Sequence, residues 1–288
     1  MQLTFKKFLL GLAVILSVIL FSQEISSAKN KNSSPLEVFF LNIGQGDAIL
    51  IDYLSKYQIL IDGGPNGKNL LNELGQVMPW GDKRIKLIIL THPDSDHLSG
   101  LIDVLDNYEA GVFIDNGQKA DTDVYSQLET KIRQKGIKKE AAFEGSTFSF
   151  GQWLDFSVFN PDISTDNLSE KNDNSLVLRM DFGKNSFLFT GDAEFGSEKD
   201  MIYDEENLDV DWLKVGHHGS KSSTSNEFLE TTSPKYAVIS VGKNNRYKHP
   251  SEETLKRLSD KNIKIFRTDE VGTIKVKCDK PDFSCVVE

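Results

Sequence analysis

Every histidine of the chain sits in one of three short polar stretches: His92 and His97 in THPDSDH, His217 and His218 in VGHHGS, and His249 in RYKHP. Histidine used only as half-polar packing scatters along a chain, so confinement to Gly-, Pro- and Asp-rich segments marks a site. Spacing within the first stretch says which kind. His92, Asp94, Asp96 and His97 bring four metal-competent side chains into six residues. Neutral imidazole together with carboxylate is the donor set of Zn²⁺ or Mn²⁺ hydrolase centres. Asp and Ser also cap helices, but capping accounts for neither histidine.

The flanks of this motif define its setting. KRIKLIIL (83–90) is a short apolar, β-branched run and predicts a buried strand, while Leu98, Leu101, Ile102 and Leu105 repeat with helical spacing over 98–108. The motif is therefore expected at the carboxyl end of a strand, in the loop that opens a helix, where open α/β folds gather ligands. Further strands are predicted at 36–42, 47–52, 57–62 and 111–115, with helices at 68–78 and 123–136. Short strands follow at TFSFGQ and LDFSVFN, then a polar loop at 161–174 and a hairpin of SLVLRMDF and NSFLFTGD around GKN. Strands at 209–215, 235–242 and 263–268 and a helix at 251–261 complete the pattern. Both halves pass from consecutive strands into strand–helix alternation. Each ends key strands in Asp or His: Asp62 and His92 in one half, Asp192 and His217 in the other. This predicts an α/β fold of αββα layering, two mixed sheets packed face to face with helices outside and the site where the strand ends of the two halves meet.

Residues 1–28 read as a signal peptide or an N-terminal membrane anchor: Lys6 and Lys7 precede an apolar run from Phe8 to Phe21, and Ser26-Ser27-Ala28 offers a small-x-small cleavage site. That run is short for a full membrane span, which takes ~20 apolar residues. Residues 29–288 suit one hydrolase domain, ending in a hairpin over 270–288. Without Lys6, Lys7 and Glu24, 31 basic residues face 42 acidic ones, which argues against a broad nonspecific nucleic-acid binder. From Lys214 to Lys248 the balance reverses, with six basic residues against Glu227 and Glu230; this is either a substrate-facing patch or a solvated face. The two cysteines, Cys278 and Cys285, lie on either side of the turn DKPD, and export favours a disulfide between them.

The order IDGG (61–64), THPDSDH (91–97), FTGD (189–192) and HHGS (217–220) resembles the metallo-β-lactamase superfamily. More finely, LNIGQGDAILID, LTHPDSDHLSGL, NDNSLVLRM, LKVGHHGSKSSTS and SVGKNNRYKHPSEETLKRL resemble the hydrolase domain of ComEC-type DNA-uptake proteins, from about Leu36 to Arg267. The resemblance implies two divalent metal ions, Zn²⁺ or Mn²⁺. His92 and Asp94 would hold one; Asp96, His97 and a histidine of HHGS the other; Asp192 would bridge them. His217 is taken as that histidine because it lies nearer the strand end, which leaves His218 toward the substrate. The superfamily's middle histidine is absent. Asn174 stands at its place, and an amide oxygen there favours harder ions such as Mn²⁺.

Two such ions lower the pKa of a water to about 7 and clamp the oxygens of an in-line phosphoryl displacement. Asp96, His218 and His249 are the candidate catalytic groups, the histidines as proton donors to a leaving oxygen. Lys221, Asn244 and Asn245 are candidates for phosphate contact, although the loop GKNNRYKHP reads also as a plain turn. Asp62 either orients a ligand histidine or serves as a turn Asp before Gly63-Gly64. Asp47, in the tight turn GQGD, reads as structural, and Trp80, Trp153 and Trp212 read as core. The functional expectation is an exported metal-dependent phosphodiesterase, a nuclease acting on extracellular DNA. Alternatives are a phosphodiesterase of cell-wall teichoic acid or its phosphocholine esters, and a non-catalytic binding protein on a decayed hydrolase fold. No motif points to a protein partner.

Overall fold

The structure is a computed structural model that describes residues 36–162, 172–204 and 207–288; the expected export segment lies outside the described residues. One eight-stranded sheet holds β1 (Leu36–Phe40), β2 (Ile49–Tyr53), β3 (Tyr57–Ile61), β4 (Arg84–Leu90), β5 (Glu109–Asp115) and β6 (Lys138–Ala141) in sequence order, with β14 (Ile274–Cys278) and β15 (Val286–Val287) returning beside β1. The seven-stranded sheet runs from β7 (Thr147–Phe150) through β8 (Leu154–Asn160), β9 (Val177–Phe182), β10 (Asn185–Phe189), β11 (Trp212–Lys214) and β12 (Tyr236–Ile239) to β13 (Lys264–Arg267). Each sheet changes from antiparallel to parallel pairing once, at β3–β4 in the first and β10–β11 in the second. Asp62, His92, Asp192 and the His217–His218 pair all follow strands flanking those two changes.

Strand side chains alternate between two buried surfaces, which is why these strands read as near-continuous apolar runs. On β2, Ile49, Ile51 and Tyr53 point into the core between the sheets with Phe40, Phe156, Met180, Phe189 and Trp212, while Leu50 joins the layer under the helices. Helices α1 (Gly67–Val77), α2 (Ser95–Asn107) and α3 (Asp123–Gln134) cover the first sheet through Leu70, Leu74, Leu101, Val104 and Leu128. Helices α4 (Phe195–Tyr203), α5 (Asn226–Thr232) and α6 (Glu252–Asp260) cover the second through Met201, Phe228, Leu229 and Leu258. The αββα layering expected from the sequence is therefore present. A Cβ on Gly100 would lie 2.0 Å from the Gly63 carbonyl oxygen, so α2 sits directly on the IDGG loop and only glycine fits at the contact.

Among the described residues, four helix N-termini are capped by a side chain accepting from the backbone: Asn66, Thr122, Ser225 and Ser251. The cap positions of α2 and α4 are Asp94 and Glu194, and neither makes a side-chain capping bond. Both carboxylates belong to the site described below.

Three expectations change. Helix α2 begins at Ser95 and takes Asp96 and His97 into its first turn, three residues earlier than its apolar spacing indicates. Strand β6, a Lys- and Glu-rich edge, carries no apolar alternation and is not foreseen. Of the tryptophans only Trp212 is core; Trp80 is fully exposed and Trp153 half-exposed at the β7–β8 turn. Cys278 and Cys285 form the disulfide and pack against the inter-sheet core. Among the described residues no helix is long and apolar enough to cross a membrane.

Candidate metal centre

The buried carboxylate of Asp192, one residue into the loop after Thr190-Gly191, is the hub. Its Oδ2 lies 3.3 Å from His97 Nε2, 3.4 Å from His218 Nε2, 3.8 Å from His217 Nε2 and 3.9 Å from His92 Nε2. His218 Nε2 is also 3.5 Å from Asp96 Oδ2, and His92 Nε2 is 4.0 Å from Asp94 Oδ2. Asp96, His97 and His218 thus converge as one group, and His92, His97 and Asp192 as another.

Three imidazoles are turned so that Nε2 faces inward. His97 Nδ1 donates to Asp62 Oδ2 at 2.8 Å, and His218 Nδ1 donates to the Ser240 carbonyl at 3.0 Å. Thr91 Oγ1 donates to Asp62 Oδ2 at 2.7 Å, which leaves its oxygen to accept from His92 Nδ1 at 3.1 Å. Ser175 Oγ lies 3.3 Å from the same nitrogen and accepts from the Asp192 N–H. Each histidine is thereby held in the tautomer whose Nε2 lone pair points at the hub. Yet Nε2 of His92, His97 and His218 and Oδ1 of Asp192 are buried without a hydrogen-bond partner. Buried polar atoms are normally paired. Lone pairs of imidazole and carboxylate meeting in one buried space are satisfied together by cations, so the residues present fit divalent ions.

Without an ion, the carboxylates draw protons onto imidazoles of the centre instead, and a bound cation would release them. Burial would raise the Asp192 carboxyl, but His218, His97 and His92 outweigh it and hold it well below the ordinary range. Burial opposes charge on His218 as well, yet Asp192 and Asp47 overcome it and push the imidazole up to about 9. His92 goes the other way, to about 3, through burial and the neighbouring His97.

Of the two histidines after β11, the structure buries His218 rather than His217. Both adopt left-handed backbone, with φ of 43° and 53°, in the turn Gly216–Gly219 after β11. That reversal buries the second histidine and leaves the first partly exposed, with both Nε2 atoms still near Asp192 Oδ2. His218 is 1% exposed at its side chain and His217 26%. His217 Nδ1 donates instead to Glu194 Oε1 at 2.6 Å, and Ser222 Oγ donates to the same oxygen at 2.8 Å. His217's hydrogen bond holds the Glu194 carboxyl below its ordinary value. Backbone strain of this kind gathers at functional sites.

Asn174 is buried, and its carbonyl accepts from Asn116 Nδ2 at 2.8 Å; the side chain beside His92 belongs to the next residue, Ser175. Lys221 is exposed, with its carbonyl taken by Arg257. Asn245 ties its own loop together, Asn244 lies at that loop's exposed tip, and His249 stands with its ring 5.6 Å from His217.

Sequence reasoning missed a buried ion pair behind the centre. The Lys214 ammonium, wholly buried, pairs with Asp47 and donates to the Gly191 carbonyl at 2.8 Å, with Asp192 Oδ1 at 3.9 Å. Asp47 in turn lies 3.4 Å from His218 Nδ1 and 4.0 Å from His97 Nδ1. The signal available was Lys214 itself, a lysine inside the apolar strand DWLKV, because buried charge demands a partner. Its burial also removes it from the basic patch expected over 214–248.

A profile described as the metallo-beta-lactamase superfamily matches residues 41–243. The chain belongs to that superfamily. It is 34% identical over 262 residues to ComE operon protein 3 of Bacillus subtilis (strain 168), covering 85% of this chain and 33% of that one. Against Recombination protein 2 of Haemophilus influenzae identity is 30% over 264 residues, covering 90% and 31%. The chain thus spans about a third of the length of the curated relatives it matches. Among solved structures, CmlA, a diiron beta-hydroxylase from Streptomyces venezuelae, superposes with a TM-score of 0.57 at 14% identity, over 86% of this chain and 55% of that one. The metallo-beta-lactamase fold protein YhfI from Bacillus subtilis gives 0.54 at 12% identity, over 82% and 96%. These two likenesses concern the fold. With the superfamily, the centre of a metal-dependent hydrolase is the coarse reading of the site.

Proposed function

We propose that the chain is a metal-dependent phosphodiesterase that cleaves DNA, exported or anchored outside the membrane by residues 1–28. One observation carries the reading: four imidazole Nε2 atoms lie within 3.9 Å of a single carboxylate oxygen, Asp192 Oδ2, with Asp94 and Asp96 on its flanks. Asp96, His97, His218 and Asp192 would hold one divalent ion, and His92, Asp94 and Asp192 the other. The second set offers two carboxylates to one imidazole, and that share of oxygen favours Mn²⁺ over Zn²⁺. When bound, the ions supply Lewis acidity to the phosphoryl oxygens and a water activated near neutral pH.

The chain's own residues do the rest. Asp62, Thr91 and Ser240 fix the three inward imidazoles, so the centre is organised before substrate arrives. Glu194 holds the His217 Nδ1–H, leaving Nε2 toward the centre at a half-open position, where it can carry the proton a leaving alkoxide needs. DNA is the preferred polymer because a relative named for recombination shares this region and because Lys243, Arg246 and Lys248 lie in the loop beside His249. The orphaned imidazoles speak against a decayed binding protein.

The test is cleavage of labelled single- and double-stranded DNA by residues 29–288 with Mn²⁺, Zn²⁺, Mg²⁺ or chelator, beside Asp96→Ala. Metal-dependent cleavage lost in the variant is expected. Intact DNA with bis(p-nitrophenyl) phosphate still hydrolysed would refute the substrate while keeping the chemistry, and would redirect the search to teichoic acid.

A further inference from the structure

The loop 242–250 has a shape imposed from within. Asn245 Nδ2 donates to the carbonyls of Gly242 and His249 at 3.0 and 2.6 Å, and its Oδ1 accepts from the His249 N–H at 3.0 Å. Gly242 rests so closely on the GQGD turn that a Cβ there would lie 2.6 Å from Gln45 N. From this clamped loop a row of planar groups leads away from the centre. It starts at His217, continues to His249 at 5.6 Å between ring centroids, and reaches Tyr247 at 5.8 Å with the two planes only 12° apart. Arg246 then holds the Tyr247 ring, its guanidinium 4.8 Å over the ring and its Nη2 donating to the phenol oxygen at 2.6 Å. Tyr247 nevertheless stays 51% exposed. A tyrosine fixed in orientation yet open to solvent, beside a hydrolytic centre, is not explained by packing.

We propose that Tyr247, with His249 and Arg246, forms a subsite for a nucleobase next to the phosphodiester being cleaved, and that the chain consequently acts on single strands. This rests on the phosphodiesterase reading above and adds to it how the polymer is recognised. Every base offers a π-face, so an oriented aromatic ring binds any sequence, and the guanidinium held against that ring suits the adjoining phosphate. In a duplex both faces of each base are covered by neighbours, and using the ledge requires unstacking. A polyol phosphate has no such face and would leave the ledge idle. The chain's excess of acidic residues, 43 against 33 basic, makes such a localised contact more useful than diffuse attraction.

The experiment compares wild type, Tyr247→Leu and Tyr247→Phe, loaded with Mn²⁺, on a single-stranded oligonucleotide, the same strand annealed to its complement, and methyl p-nitrophenyl phosphate. Wild type should prefer the single strand. In Tyr247→Leu the KM for the single strand, taken relative to that for the methyl ester, should rise about tenfold with kcat within about threefold, and Phe should restore it. An unchanged KM ratio in Leu, or Phe behaving as Leu, overturns the subsite while the nuclease stands. A wild type that hydrolyses the methyl ester and neither form of DNA overturns the nuclease reading, and the subsite with it.

Discussion

The two flanks of the centre reach the same hub by different means. On one side, His92 ends a parallel strand and His97 sits in the first turn of a regular helix, so ordinary backbone places both rings. On the other, His217 and His218 sit in consecutive left-handed conformations, and these adjacent residues both reach the hub, one buried and one partly exposed. Regular backbone converts spacing into position. Irregular backbone breaks that conversion, and only the surrounding partners, Ser240 for one ring and Glu194 for the other, decide which histidine is inside.

The sharpest way to break this contrast is to remove each histidine of the pair. His218→Ala should lower kcat/KM about 10³-fold on every substrate and release bound metal, because several kcal/mol of charge stabilisation go with the ion. His217→Ala should keep its metal content and lose about 10²-fold on DNA, whose alkoxide needs a proton, but far less on a p-nitrophenyl ester, whose phenolate leaves without one. Metal analysis beside kinetics on both substrates reads the difference. Loss of metal in His217→Ala with retention in His218→Ala would reverse the assignment.

The next test joins the flanks, since Asp47 lies against both His97 and His218 and is neutralised by Lys214. Lys214→Met leaves a buried carboxylate without its cation and should cost about 3 kcal/mol of stability by denaturant unfolding of the metal-free protein. Asp47→Asn with Lys214→Met removes both charges and should recover most of that loss. Failure of the double variant to recover would mean that the pair acts through Gly191 or Asp192 rather than through charge balance.

These pairs also show what can be read from the chain and what cannot. Strand and helix periodicity are local, so β4 and α2, the two changes from antiparallel to parallel pairing, and the THPDSDH ligand candidates are legible in the sequence. Ser175 and Lys214 act through contacts that close only when the two halves meet, and Thr91 and Glu194 through partners distant in sequence within one half. Residues as far apart as Asp47 and His218 share no local pattern. Ser175 shows the limit most plainly: nothing in the run NDNSLVLRM marks its hydroxyl as the group that reaches His92 Nδ1. The cap positions did hold a usable clue, since Asp94 and Glu194 precede helices without capping them.

Asp47 and Asp52 lie at the start and near the end of the same hairpin arm, both buried, and only one belongs to the centre. Asp47 would be raised by its burial, but Lys214, His218 and His97 bring it below its ordinary value. Asp52 has burial and nearby Glu37 against its charge, and the Gln58 amide, at 3.2 Å, and the Ser55 backbone do not offset them, so its carboxyl rises to about 6. A carboxyl raised on folding contributes its full share of stability below its unfolded value of 3.8 and loses it as pH climbs through about 6. Asp52→Asn keeps the contact with Gln58 without the charge. It should leave stability near pH 4 unchanged and raise it by about 1–2 kcal/mol at pH 8, allowing for solvent screening at the sheet surface. Urea unfolding at the two pH values decides the matter. An equal effect at both would mean that packing, not charge, governs this position. The contrast would then narrow to the centre alone, where buried carboxylates are kept ionised for the cations they face.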